Sequence, residues 1–125
     1  MSFPAPAQPL EEAEILDPHA LGSLTRGNTS MRNQIIAVFE SMMDKTLAEL
    51  AQALEAGDAA RLAGLGHKAK SSAASLGAAG LSRSCHALEA AMKQPTPDLA
   101  QARQLVAEIT QLYPLVRERL RGQAT

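Results

Sequence analysis

Tryptophan is absent from this chain, and its aromatic residues amount to Phe3, Phe39 and Tyr113. β-Branched residues are also few, while alanine and leucine dominate, so the residues that favour sheet are scarce and good helix formers prevail. Cysteine occurs once, at Cys85, which excludes an internal disulfide. There is no charged-then-apolar leader pattern and no apolar run approaching 18 residues, so no membrane association is expected and the expected location is the cytoplasm. An excess of charge is lacking too. Twelve basic against thirteen acidic side chains leave a net charge of −1, which gives no electrostatic footprint for nucleic acid or an anionic membrane. Neither a P-loop nor a glycine-rich ATP lid occurs, so ATP-dependent kinase activity is not expected.

What remains is enough for one helical domain. At 125 residues a chain buries roughly two thirds of its unfolded surface without metals or disulfides. Residues 1–14 carry Pro4, Pro6 and Pro9 among small and acidic residues, and are expected to form a flexible arm. Asp17-Pro18 offers an N-cap and a first-turn proline for a short helix with Leu21 and Leu24 inward, ending by Gly27. From Ser30 to Ala56 a long amphipathic helix is expected, its apolar stripe reading Ile35, Val38, Phe39, Met42, Leu47, Leu50 and Leu54. Gly57 stops it and Asp58 caps the next, which runs to Leu76 before Gly77. A further helix carries Leu81, Cys85, Leu88 and Met92 on one stripe. Thr96 then caps a last helix from Pro97 to about Arg121, with Ala102, Leu105, Ile109, Leu112, Val116 and Leu120 inward and a kink from Pro114 near Thr110. Four long helices with short connections predict an all-α, antiparallel up-down four-helix bundle over residues 15–121, with one short additional N-terminal helix and a C-terminal tail at 122–125.

The most informative residue is His67, in the run Leu65-Gly66-His67-Lys68-Ala69-Lys70-Ser71-Ser72-Ala73-Ala74. On a helix turning about 100° per residue, Leu62, Leu65, Ala69, Ala73 and Leu76 share one face and His67 points to nearly the opposite one. Around the ring lie Ala63, Gly64, Lys70, Ser71 and Ala74, where an ordinary solvated face would carry long charged side chains. The ring therefore stands on a low platform open to a docking partner. His19 and His86 fit solvent or structural roles, and no metal-ligand spacing is present.

With these residues in view the chain resembles the histidine-containing phosphotransfer domains, which relay phosphoryl groups between receiver domains in bacterial two-component signalling. The resemblance spans residues 15–120 and rests on an ordered set: Ile15-Leu16-Asp17-Pro18, Val38-Phe39, Ala56-Gly57-Asp58, His67-x-x-Lys70, Leu76-Gly77-Ala78, Leu81 and Cys85-His86-Ala87-Leu88-Glu89. It departs at Ala69, where the family commonly has a bulky apolar residue, and at Ser71, where it commonly has glycine.

The resemblance implies that His67 is the phosphoacceptor. An ordinary imidazole, with a pKa of about 6.5, is largely neutral at cellular pH and can attack phosphorus through a ring nitrogen. It further implies that Lys70, one turn along, meets the phosphoryl oxygens, and that Glu89 and Lys93 supply a carboxylate for the ring and a second positive charge. Gly64, Lys68, Ser71, Ala74 and Lys93 are the implied partner-binding residues. The partners would be the receiver domains of a hybrid sensor kinase and of a response regulator, with the chain itself a monomeric phosphocarrier. No cofactor is expected in this chain. Asp17, Asp44, Asp58 and Asp98 are scattered among caps and surfaces, so Mg²⁺ and the phosphorylatable aspartate belong to the partner. The competing expectation is a helical interaction module that binds a signalling partner through the same surface without accepting phosphate.

Overall fold

The computed structural model describes residues 10–123. Among the described residues there are six helices: α1 Glu12–Ile15, α2 Ala20–Thr25, α3 Thr29–Ala56, α4 Ala59–Ser75, α5 Ala79–Met92 and α6 Leu99–Gln123. Helices α3 to α6 form the bundle in chain order, each packed on the next and α6 back against α3. The short connections between them make neighbours antiparallel, as expected.

Local chemistry sets the helix ends. Asn28 accepts from the Met31 N–H at 2.9 Å to start α3, and Asp58 accepts from the Arg61 N–H at 3.0 Å to start α4. Between them Gly57 takes the left-handed conformation at φ 65°, which glycine adopts without steric cost. Gly77 has φ 82°, and a Cβ there would lie 2.6 Å from Ala20 Cβ and 2.9 Å from Asp17 Cβ. Its carbonyl accepts from the Asp17 N–H at 2.9 Å. That bond fastens the start of α2 to the end of α4.

Several expectations need correction. Asp98, not Thr96, starts the last helix, accepting from the Ala100 N–H at 2.9 Å, so α6 begins two residues later than expected. It then runs unbroken through Pro114 to Gln123, into the expected tail. The helical region also starts earlier: α1 begins at Glu12, inside the expected arm, with Ile15 buried and Leu10 of that arm packed on the core. Gly80 permits this contact, since a Cβ there would meet Leu10 Cδ1 at 2.8 Å. Arg119 fixes α1 to α6 through two bonds to Glu12, of 3.0 and 2.7 Å. Residues 1–9 of that arm and residues 124 and 125 of the tail lie outside the described residues.

On α3 the fully buried positions are Ile36, Phe39, Met43, Thr46, Leu50 and Ala53; of the expected stripe, Phe39 and Leu50 are among them, and Ile35, Met42, Leu47 and Leu54 pack partly buried against the core beside them. Val38, expected inside, is 69% exposed, and Leu24 is exposed as well. Val38 lies at the margin of the stripe, about 100° of helix rotation from Phe39, while the polar Thr46 is accommodated inside because its hydroxyl donates to the Met42 carbonyl at 2.8 Å. Elsewhere the expected core holds: Leu62, Ala69, Ala73, Leu81, Cys85, Leu88 and Ile109 are buried. Phe39 and Tyr113 meet edge to face with centroids 6.1 Å apart, joining α3 to α6.

Candidate functional site

The site is made by the closeness of α4 and α5. At Gly66 a Cβ would stand 2.8 Å from the Cys85 carbonyl oxygen and 3.3 Å from the Glu89 nitrogen. Only a residue without a side chain lets the two backbones approach this nearly. Ser82 adds a link, its hydroxyl donating to the Lys70 carbonyl at 2.9 Å. Sequence reasoning overlooked Gly66. Its signal was present, because a glycine inside a helix costs about 1 kcal/mol relative to alanine and calls for a packing reason.

This approach sets Glu89 of α5 beside His67 of α4. Glu89 is only 4% exposed, yet its carboxylate is well satisfied. Oε2 lies 2.6 Å from His67 Nδ1 and 3.0 Å from Lys93 Nζ, while Oε1 receives Lys70 Nζ. His86 Nδ1 stands 4.0 Å from Oε1. Hydrogen bonding from Lys70, then from Lys93, outweighs the cost of burial and holds the carboxyl down at about 2, with His67 assisting. An ionised carboxylate can only accept, so the ring proton it receives is on His67 Nδ1, and in the neutral ring the lone pair is then on Nε2.

The His67 side chain is 64% exposed. Gly64, Lys68, Ser71 and Ala74 are exposed around it on α4, and nothing lies within 4 Å of a Cβ built on Gly64. The low platform therefore exists, with one correction: Ala63, expected on it, is buried where α4 turns toward its neighbours. Ala69 is fully buried, so of the two departures from the family pattern only Ser71 reaches the surface. His67, Gly64 and Lys93 line one shallow hollow, whereas Lys70, Ser71, Ala74, Ser82 and His86 line another. His86 was expected to have no part here, because its position on the outer side of α5 does not reveal that Glu89, one turn on, faces it. His19 is exposed and engages through its backbone N–H, which donates to Asp17 Oδ1 at 2.9 Å.

An apolar hollow on the adjacent face, between α2, α3 and α4, is lined by Leu24, Ile35, Val38, Phe39, Met42 and Leu76. Among the described residues no group of three or more His, Cys, Asp or Glu side chains could hold a metal ion. Among them, too, no helix is long and apolar enough to cross a membrane.

An antiparallel helical bundle that presents an exposed imidazole beside a buried carboxylate has the form of a histidine phosphotransfer module. Residues 34–118 match the family model of the Hpt domain, and the chain belongs to that family. The fold is similar to the crystal structure of histidine-containing phosphotransfer protein B (HptB) from Pseudomonas aeruginosa PAO1. The two are 26% identical, with a TM-score of 0.80, covering 86% of this chain and 92% of that one. No curated protein matches the chain. The function of the domain is thus histidine phosphotransfer in phosphorelays, and its partners are receiver domains.

Proposed function

We propose that His67 accepts a phosphoryl group from the aspartyl phosphate of a hybrid sensor kinase's receiver and passes it to the aspartate of a response regulator. The observation that carries this reading is the 2.6 Å contact between His67 Nδ1 and Glu89 Oε2. With its proton held at Nδ1, the ring attacks phosphorus through the Nε2 lone pair. The N–P bond forms as the P–O bond to the aspartyl carboxyl breaks, and the electron pair leaves with the aspartate. The positive charge that develops on the ring lies directly beside the Glu89 carboxylate, where an oppositely charged group stabilises it. Return transfer reverses these steps. Mg²⁺ and the aspartate come from the receiver, and Gly64, Lys68, Ser71 and Ala74 provide the low surface on which it docks.

The test compares wild type with His67→Gln after incubation with a phosphorylated receiver. Wild type should gain an acid-labile, base-stable phosphate. The variant should gain none while keeping its fold, since the glutamine amide can still donate to Glu89 and Lys70 and Lys93 remain on that carboxylate. Labelling of the variant would move the acceptor to His19 or His86 and overturn the assignment.

A further inference from the structure

We propose that the two lysines of the site divide the work: Lys93 is the ammonium that meets the phosphoryl group, and Lys70 is a positioning residue that holds Glu89. This rests on His67 being the phosphoacceptor. The two oxygens of Glu89 are differently occupied. Oε2 serves His67 and Lys93, and those two side chains share a hollow with Gly64; Oε1 serves Lys70, which lines the hollow beyond, beside His86 and Ser82.

Exposure separates the lysines further. Lys70 is 26% exposed and its ammonium is paired with a carboxylate that is nearly buried. Drawing it toward a phosphoryl group would strip a buried charge of its main partner, which is strongly unfavourable. Lys93 is 64% exposed and lies one residue beyond the end of α5, so its ammonium reaches the carboxylate from the solvent side and can leave it while Lys70 keeps that buried charge paired. When a phosphoryl group is on Nε2, Lys93 can turn from a carboxylate already neutralised by Lys70 to an anion of greater charge. No proton needs to move.

Only an interaction stronger in the transition state than before it speeds the reaction. Lys93 makes such an interaction. The Lys70 contact is the same before and after transfer, and it acts through Glu89 by keeping the proton of His67 on Nδ1.

The experiment measures transfer from a phosphorylated receiver for Lys93→Ala, Lys93→Arg, Lys70→Ala and Lys70→Arg, together with ¹⁵N spectra of the His67 ring. Lys93→Ala should slow transfer roughly 10- to 100-fold, below the range of about 100 to 1000 typical of a dry site, with ring nitrogen shifts like those of wild type. Lys93→Arg should recover most of the rate. Lys70→Ala should move the ring shifts toward a mixture of tautomers as it slows transfer, and Lys70→Arg should restore both. Wild-type transfer by Lys93→Ala would overturn the proposal. Unmoved ring shifts in Lys70→Ala would overturn the positioning role. His67→Gln run in parallel separates this from an error in the acceptor, since label on that variant refutes the acceptor whatever the lysines do.

Discussion

Replacing Gly66 with alanine tests how far the site depends on the approach of two helices. The new Cβ would sit 2.8 Å from the Cys85 carbonyl oxygen, roughly half an ångström inside ordinary contact. Both atoms it meets, that oxygen and the Glu89 nitrogen, are backbone, so no side chain can swing aside and α5 itself must move. Overpacking of this kind costs about 1–3 kcal/mol, against a gain of about 1 kcal/mol from exchanging glycine for alanine within a helix. The balance is a loss of about 1 kcal/mol, or about 4 °C in melting temperature for a domain of this size. Gly64 is the internal control. It lies on the same helix, two residues away, with nothing within 4 Å of its Cβ position, so Gly64→Ala should gain up to about 1 kcal/mol from helix propensity.

The site should respond along with the fold. A half-ångström displacement would stretch the His67 to Glu89 contact from 2.6 Å toward the long end of hydrogen bonding at about 3.2 Å. Transfer from a phosphorylated receiver should then slow in Gly66→Ala even at temperatures where the variant is fully folded. Thermal melts of the two alanine variants followed by circular dichroism, with transfer rates on the same samples, decide the matter. If Gly66→Ala melts higher than wild type, as Gly64→Ala should, the close approach of α4 and α5 does not constrain this position and the reasoning fails.

Other predictions follow from the same geometry. Glu89 has its carboxyl lowered from 4.5 to about 2 in the folded chain, so the stability it contributes is complete above pH 4.5 and is lost as pH falls through about 2. Urea midpoints of wild type and Glu89→Gln should therefore converge across that window; a constant gap would mean that the carboxylate is not held by its lysines. Cys85 is 1% exposed and burial pushes its thiol up to about 12, so it should resist alkylation at pH 8 until the protein unfolds. Rapid labelling under native conditions would contradict that burial. Ala74→Arg raises a long side chain over the platform from an exposed position, and should weaken receiver binding without loss of helix content; unchanged affinity and transfer rate would place the docking surface elsewhere.

The bundle was readable in the sequence because its stops are chemical and local. Gly57, Asp58 and Gly77 terminate or start helices through backbone geometry and single hydrogen bonds that a neighbouring residue cannot replace. His67 was readable for a related reason: a ring opposite the stripe of Leu62, Ala69 and Ala73 has to face outward, and it does. The edge of the α3 stripe was less accessible. The expected and the buried faces point in nearly the same direction, with Ile35, Met42, Leu47 and Leu54 partly buried against the core. Periodicity could not show that Val38, at the margin of that stripe, has no neighbouring helix among the described residues to cover it and stays exposed.

The carboxylate at the centre of the site shows where one-dimensional reading stops. Glu89 is an ordinary glutamate by sequence, 22 positions from His67, and only the family resemblance pointed to it. Its burial, its ionisation and its grip on the ring all depend on how close α5 lies to α4. That distance is set by a missing side chain at Gly66, not by any residue that takes part in the chemistry. Periodicity could orient the histidine, but not reveal that its proton is placed by a group on another helix. It likewise could not show that the two lysines reach opposite oxygens of one carboxylate, the difference on which their separate roles rest.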